Sequence, residues 1–196
     1  MSRITIILTV CLLLAACSSK ISKACTEAFH ARSGKFTVTV YPVHVLQPGE
    51  EPQPEIPLAQ IIVDTLNERG IAVATLAATD VTVPFKFVMG QDKMWKVSGN
   101  LFATEIASAN INTDYALLVE VLIPPGAGEV WGVHVYLANS MGTLCEGGLT
   151  NSHHEIFTAV EPRDRSDGVK IALAMLHCLD PIANGIDRPS MYTPSF

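Results

Sequence analysis

From Phe36 onward, apolar and polar residues alternate, with Phe36, Val38 and Val40 set against Thr37, Thr39 and Tyr41. A period of two in β-branched residues predicts a half-buried first strand over residues 36–46. Residues 47–57 hold Pro48, Pro52, Pro54 and Pro57. Proline has no amide hydrogen to give a ladder, so this stretch is expected to be an exposed loop that joins no sheet. The period then changes. Leu58, Ile61, Ile62, Thr65 and Leu66 recur at the spacing of one helical face, with Pro57 at the start and Gly70 closing the helix. A short buried strand is expected over residues 71–76, and strand, helix, strand in that order predicts a parallel pair with a crossover helix.

Residues 79–99 alternate at Val81, Val83, Phe85 and Phe87, but Pro84 limits them to an edge strand or an extended loop. Asn100 is placed to cap a second helix with Leu101, Phe102, Ile106 and Ala109 on one face, ending near residues 110–112. Residues 115–123 are apolar on both faces apart from Glu120, the pattern of a central strand covered from both sides. Pro124, Pro125 and Gly126 turn the chain into residues 130–139, where Trp131, Val133, Val135 and Leu137 oppose Gly132, His134 and Tyr136. A turn at Met141 and Gly142 leads into a strand over residues 143–150, completing an antiparallel meander. After a charged loop at 161–168, Val169, Ile171, Leu173, Met175 and Leu176 mark a last amphipathic helix, running to Leu179 and stopped by Pro181. Residues 181–196 read as a loose tail. The fold class is therefore α/β (α+β): β-α-β, a second helix, a three-stranded antiparallel meander and a closing C-terminal helix, packed on one mixed sheet as a single domain over residues 35–180.

The amino terminus has a different pattern. Arg3 precedes an apolar run over residues 4–16, interrupted only by Thr5, Thr9 and Cys11, which is the layout of a secretory signal peptide and too short for a membrane-spanning helix. The run ends in Leu14-Ala15-Ala16-Cys17. This resembles the lipobox of bacterial lipoproteins, and the resemblance implies removal of residues 1–16 and diacylglyceryl modification of Cys17. An ordinary cleaved leader with a chance cysteine, or an apolar first helix, is the alternative. Ser18 and Ser19 follow, where an aspartate in the first position would be the inner-membrane retention signal in the enterobacterial sorting rule. The periplasmic face of the outer membrane is therefore expected over the inner membrane. More than one acyl chain gives stable anchoring where one gives marginal binding. Residues 17–34, polar and rich in serine, are expected to be a lipidated tether.

Charge narrows the partners. The 13 Lys+Arg against 19 Asp+Glu give a net charge of −6, which argues against nucleic acid, whose binders carry a basic stripe. Of the five cysteines, Cys11 leaves with the leader and Cys17 takes the lipid, leaving Cys25, Cys145 and Cys178 in an oxidising compartment. The pair expected is Cys145 with Cys178, because a last strand and a last helix usually pack together.

The conspicuous polar constellation is Asn151-Ser152-His153-His154-Glu155, with His134 on the preceding strand. A zinc site needs three converging ligands, and a hydrolase needs a nucleophile such as Ser152 aligned with a histidine and an acid such as Glu155. Adjacent histidines on a strand point to opposite faces, so His153 and His154 share a site only from a loop. Neither HExxH nor GxSxG is present. The competing reading is hydrogen-bonded or surface histidines, with Gly147 and Gly148 marking a bulge or a close backbone approach. Trp131 and Tyr136 read as core and cross-strand packing rather than a carbohydrate platform. Ser166 or Asp167 is expected to cap the last helix; the calcium-loop spacing is missing from residues 164–168. No cofactor is expected.

The segment Thr113-Asp114-Tyr115-Ala116-Leu117-Leu118-Val119 is similar to the one that opens the central strand in periplasmic lipoprotein domains related to the amino-terminal domain of TolB, the curli secretion lipoprotein and the activators of penicillin-binding proteins. Element order agrees over about residues 35–179, and the stretch 79–99 departs from that pattern. The resemblance implies the α/β layout and carries no functional residue onto this chain. Anchor, tether and the lack of a catalytic signature point to a non-enzymatic envelope module that binds or assembles another envelope protein. The alternative is a tethered metal-binding or hydrolytic enzyme using the region of His134, His153 and His154.

Overall fold

The computed structural model describes residues 21–81, 83, 90–126 and 129–177. The leader 1–16, Cys17, Cys178 and the tail 181–196 lie outside the described residues. The elements in chain order are α1 (Lys23–Ala31), β1 (Phe36–Val40), β2 (Val43–Leu46), β3 (Gln53–Glu55), α2 (Ile56–Glu68), β4 (Ala72–Leu76), α3 (Gln91–Ala109), β5 (Tyr115–Leu122), β6 (Gly132–Asn139), β7 (Leu144–Asn151), α4 (Glu155–Val160) and α5 (Arg165–His177). They form a mixed α/β fold on one seven-stranded sheet. Among the described residues no helix is long and apolar enough to cross a membrane.

β5 is the centre of the sheet. It runs parallel to β1, with Val40 opposite Leu117, parallel to β2, with His44 opposite Glu120, and antiparallel to β6 along its whole length. The expected first strand is thus two pieces on the same side of β5. Pro42 separates them, and Tyr41 keeps contact through its amide, which donates to the Leu117 carbonyl at 2.9 Å. β4 lies parallel to β1, as strand-helix-strand order predicts, but it is an outer strand with Val73 half exposed rather than a buried one. The proline-rich stretch also departs from expectation: residues 53–55 pair antiparallel with β2, and Pro54 stands opposite His44. An outer strand tolerates proline because only one of its edges must supply ladder hydrogen bonds.

The two faces of the sheet are packed separately. Val38, Val45, Leu117, Val119, Val121, Val133, Val135 and Leu137 meet α2 and α5 on one face. Tyr41, Leu118, Tyr136, Ala138 and Leu149 meet α3 through Trp95, Phe102 and Ile106 on the other. α3 begins at Gln91, nine residues before the expected cap at Asn100, which sits within the helix. Its buried stripe includes Ser98 and Gly99, and these two positions break the apolar signal. The turn into the next segment is as expected: Asn110 takes the left-handed conformation that closes a helix.

Three corrections concern the ends of the chain. Residues 23–31, expected within the tether, form helix α1. Ser22 caps it by accepting from the Cys25 amide, Phe29 is buried in the first core, and Arg32 lies over the rings of Phe29 and Phe36 at 3.6 and 4.2 Å. The disulfide joins Cys25 to Cys145, with Cα atoms 4.7 Å apart, in place of the expected Cys145–Cys178 pair. The reason is the position of α1, which lies along the outer edge of β7. The Ser22 amide donates to the Leu144 carbonyl at 2.9 Å, the Thr26 hydroxyl donates to the Cys145 carbonyl at 2.5 Å, and His30 Nε2 is 2.7 Å from Glu146 Oε1. Finally, the cap of α5 is Asp164 rather than Ser166 or Asp167. Its carboxylate accepts from the amides of Ser166 and Asp167, while Asp167 accepts in return from the amides of Arg163 and Asp164. Such reciprocal capping satisfies orphan amides at both positions; the Ser166 hydroxyl, then the amides of Asp167 and Ser166, hold the Asp164 carboxyl below the ordinary range, and the Lys170 ammonium, then the Arg163 amide, do the same for Asp167.

Candidate functional site

At one end of the sheet the strands β2 and β5 finish, β6 begins and β7 finishes, and α3 starts beside them. Two adjoining clefts open there. One, of about 450 Å³, is lined by Gln91, Met94, Leu122, Trp131, Asn151, Ser152 and His153. The other, of about 360 Å³, is lined by Asp92, Leu149, Thr150, Asn151, His153 and His154. The carboxyl ends of parallel strands are where open α/β sheets commonly bind ligands.

Gln91 builds the wall between them. Its Nε2 donates to the Thr150 carbonyl at 3.0 Å and its Oε1 accepts from Asn151 Nδ2 at 3.0 Å. Gly132 makes this reach possible, since a Cβ at that position would collide with the Gln91 amide. Asn151 Oδ1 accepts from the His153 amide at 3.0 Å, a side-chain turn that carries the chain off the strand and into a loop. Both histidines therefore leave the alternation of a strand and border the same cleft. Trp131 is 47% exposed at the rim, not in the core as its strand position suggests, because β6 starts one residue later.

His134 is elsewhere. It is fully buried on the α3 face, its Nδ1 2.9 Å from Glu120 Oε2. Tyr136 donates its hydroxyl to the same oxygen at 2.8 Å. A carboxylate can only accept, so Nδ1 carries the hydrogen. Tyr136 has its pKa held well above 10.0, first by burial and then by the Glu120 charge and hydrogen bond. Glu120 also stands opposite His44 on β2, and His44 Nε2 is 2.9 Å from Asp80. Glu120 Oε1 and His134 Nε2 are enclosed and meet no hydrogen-bond partner among the described residues. Trp95 stacks on Tyr136 at 5.8 Å. Gly147 admits Trp95, since a Cβ there would lie 3.1 Å from the indole and 2.6 Å from the Val135 carbonyl; this is the close approach expected of the Gly147-Gly148 pair.

The structure thus divides the predicted constellation. Ser152 and His153 face one cleft, and His153 and His154 the other. His134 belongs to an internal cluster with Glu120 and Tyr136, and Glu155 begins α4 as an exposed residue. Among the described residues no group of three or more histidine, cysteine, aspartate or glutamate side chains is placed to hold a metal ion. The residues that sequence reading missed are Gln91 and Met94 in the cleft and Glu120 in the interior. Only Glu120 announced itself, as the lone charge in an apolar strand. What the cleft offers chemically is an aromatic face, amides, a hydroxyl and an imidazole, groups suited to binding by stacking and hydrogen bonding.

No family model matches the chain, and no curated protein matches it. Among solved structures, it is similar to the LpoB C-terminal domain from Salmonella enterica, at 11% identity and a TM-score of 0.38, over 61% of this chain and 84% of that one. It is also similar to lipoprotein GNA1162 from Neisseria meningitidis, at 14% identity and a TM-score of 0.34, over 76% of this chain and 99% of that one. At these scores the likenesses carry no functional argument.

Proposed function

We propose that the chain is a lipid-anchored protein of the cell envelope, cut before Cys17 and acylated there, whose domain binds another envelope protein through the cleft at the strand ends. It acts as a binding or assembly module, without chemistry of its own, on the periplasmic face of the outer membrane. The observation that supports this reading is Trp131, a large aromatic side chain left half exposed at the rim of a cleft whose floor is apolar at Met94 and Leu122 and whose far wall is polar. Half-exposed tryptophans beside such pockets are the residue type that dominates binding energy in protein interfaces.

The test places a photocrosslinking benzophenone amino acid at position 152 in cells. One discrete adduct with an envelope protein is expected, weakened strongly by Trp131→Ala. No adduct, or an adduct indifferent to Trp131→Ala, would overturn the reading. The enzymatic alternative draws no support from the placement of His134, which is sealed away from His153 and Glu155.

A further inference from the structure

The anchor and the domain are closer together than a tether implies. Five positions separate Cys17 from Ser22, whose amide is hydrogen-bonded to the Leu144 carbonyl at the start of β7. Five residues reach at most about 18 Å even when fully extended. Beyond Ser22 the chain is fixed, because α1 is bound to β7 by Cys25–Cys145 and by the Thr26 and His30 contacts. The end of the sheet where β7 begins is therefore held at the anchor.

That same end carries the turn between β6 and β7. Its tip, Met141, is 76% exposed, and the turn is held stiffly. The Ser140 amide donates to Asp114, and Gly142, at φ 73°, packs so closely against Ala103 and Ala107 of α3 that any side chain would collide. Exposed basic residues share this end: Lys23 on α1, Lys35 before β1 and Arg69 after α2, with Lys35 Nζ lying over the turn at Gly70. Glu27, Glu68 and Asp114, exposed at the same end, balance this charge. The opposite end, with the cleft, is lined by Glu50, Glu51, Asp92, Glu129 and Glu155, all exposed.

We infer that this end is a membrane-apposed face. The Met141 turn rests in the interface of the bilayer, and the strands stand upright on it. β5 spans eight residues, so the cleft faces away from the lipid, about 26 Å farther out. The apolar tip adds burial. The inference rests on acylation at Cys17.

The experiment uses the full chain, expressed with its leader, purified and placed in vesicles of phosphatidylethanolamine and phosphatidylglycerol. A benzophenone amino acid replaces Met141 in one preparation and Trp131 in another, and intact mass reports the acyl chains. The expected result is an acylated protein that crosslinks to lipid from position 141 and not from position 131. Acylated protein with no lipid adduct at 141, or with equal adducts at both positions, overturns the orientation and leaves the anchor standing. A protein without acyl mass overturns both. Position 140 serves as a second probe should the variant at 141 fail to fold.

Discussion

The two faces of the sheet solve the same packing problem with different materials. Toward α2 and α5, β5 presents Leu117, Val119 and Val121 to a large cluster of buried apolar side chains, with the polar Glu146 and Thr150 kept to β7 at the edge of the sheet. Toward α3, the same strand presents Leu118 and then Glu120, tied to His134 and Tyr136 with no access to water. A purely apolar face draws its stability from area and close packing, and is forgiving of apolar exchange. A buried polar cluster adds little net stability while intact and is costly when broken, because each orphaned group has given up its water. The second face therefore fixes how the strands and α3 sit on one another more than it strengthens them.

The largest test of that contrast is Glu120→Ala, which orphans the His134 and Tyr136 donors and opens a cavity. We expect a loss of about 3–5 kcal/mol in urea unfolding. On the other face Leu117→Ala should cost about 3 kcal/mol from cavity alone, and a larger loss there than at Glu120 would reverse the comparison. Tyr136→Phe is smaller, about 1.5–2 kcal/mol, toward the lower end of what a buried hydrogen bond to a charged group is worth. Its pH dependence has a definite sign. Tyr136 holds its proton more tightly when folded than when unfolded, so its contribution is full below the ordinary tyrosine value of 10.0 and is lost as pH rises beyond it. The phenylalanine variant should flatten the alkaline limb of a stability-versus-pH curve, and an unchanged limb would show that Tyr136 is not its source. The smallest shift is expected from the combination Glu120→Leu, His134→Leu and Tyr136→Phe. Removing these three polar groups together should leave stability within about 1 kcal/mol of the parent, whereas a loss comparable to Glu120→Ala would mean the cluster is itself stabilising.

Much of the fold was legible because its signals were periodic. Alternation at 36–40 and the helical face of Leu58, Ile62 and Leu66 correspond to β1 and α2, and the doubly apolar run at 115–122 is the central strand. Signals failed where a single residue type had two meanings. Pro42 divides a strand that alternation alone reads as continuous, whereas Pro54 sits in an outer strand that proline was expected to forbid. Helix α1 has one deeply buried side chain, Phe29, too little to show as an apolar stripe among serines and alanines. The cleft was partly visible, through Ser152 and His153, which lie in one continuous segment. Gln91 and Met94 come from a helix start masked by Gly90 and by the polar first turn. Glu120 and His134 both stood out, but only strand register, one opposite the other on β5 and β6, shows that they belong together.

The bond between Cys25 and Cys145 spans 120 positions, and that distance sets an order of events. During synthesis α1 is the first element of the domain to be made, and the strand it packs on is the last of the sheet. Bringing together groups so far apart in sequence carries a loop-closure cost. Phe29 packs on Phe36 and Tyr115 of β1 and β5, whereas Cys25 stays unpaired until β7 has been made. Oxidation at Cys25 therefore reports that β7, 120 positions farther along the chain, has been made and lies beside α1.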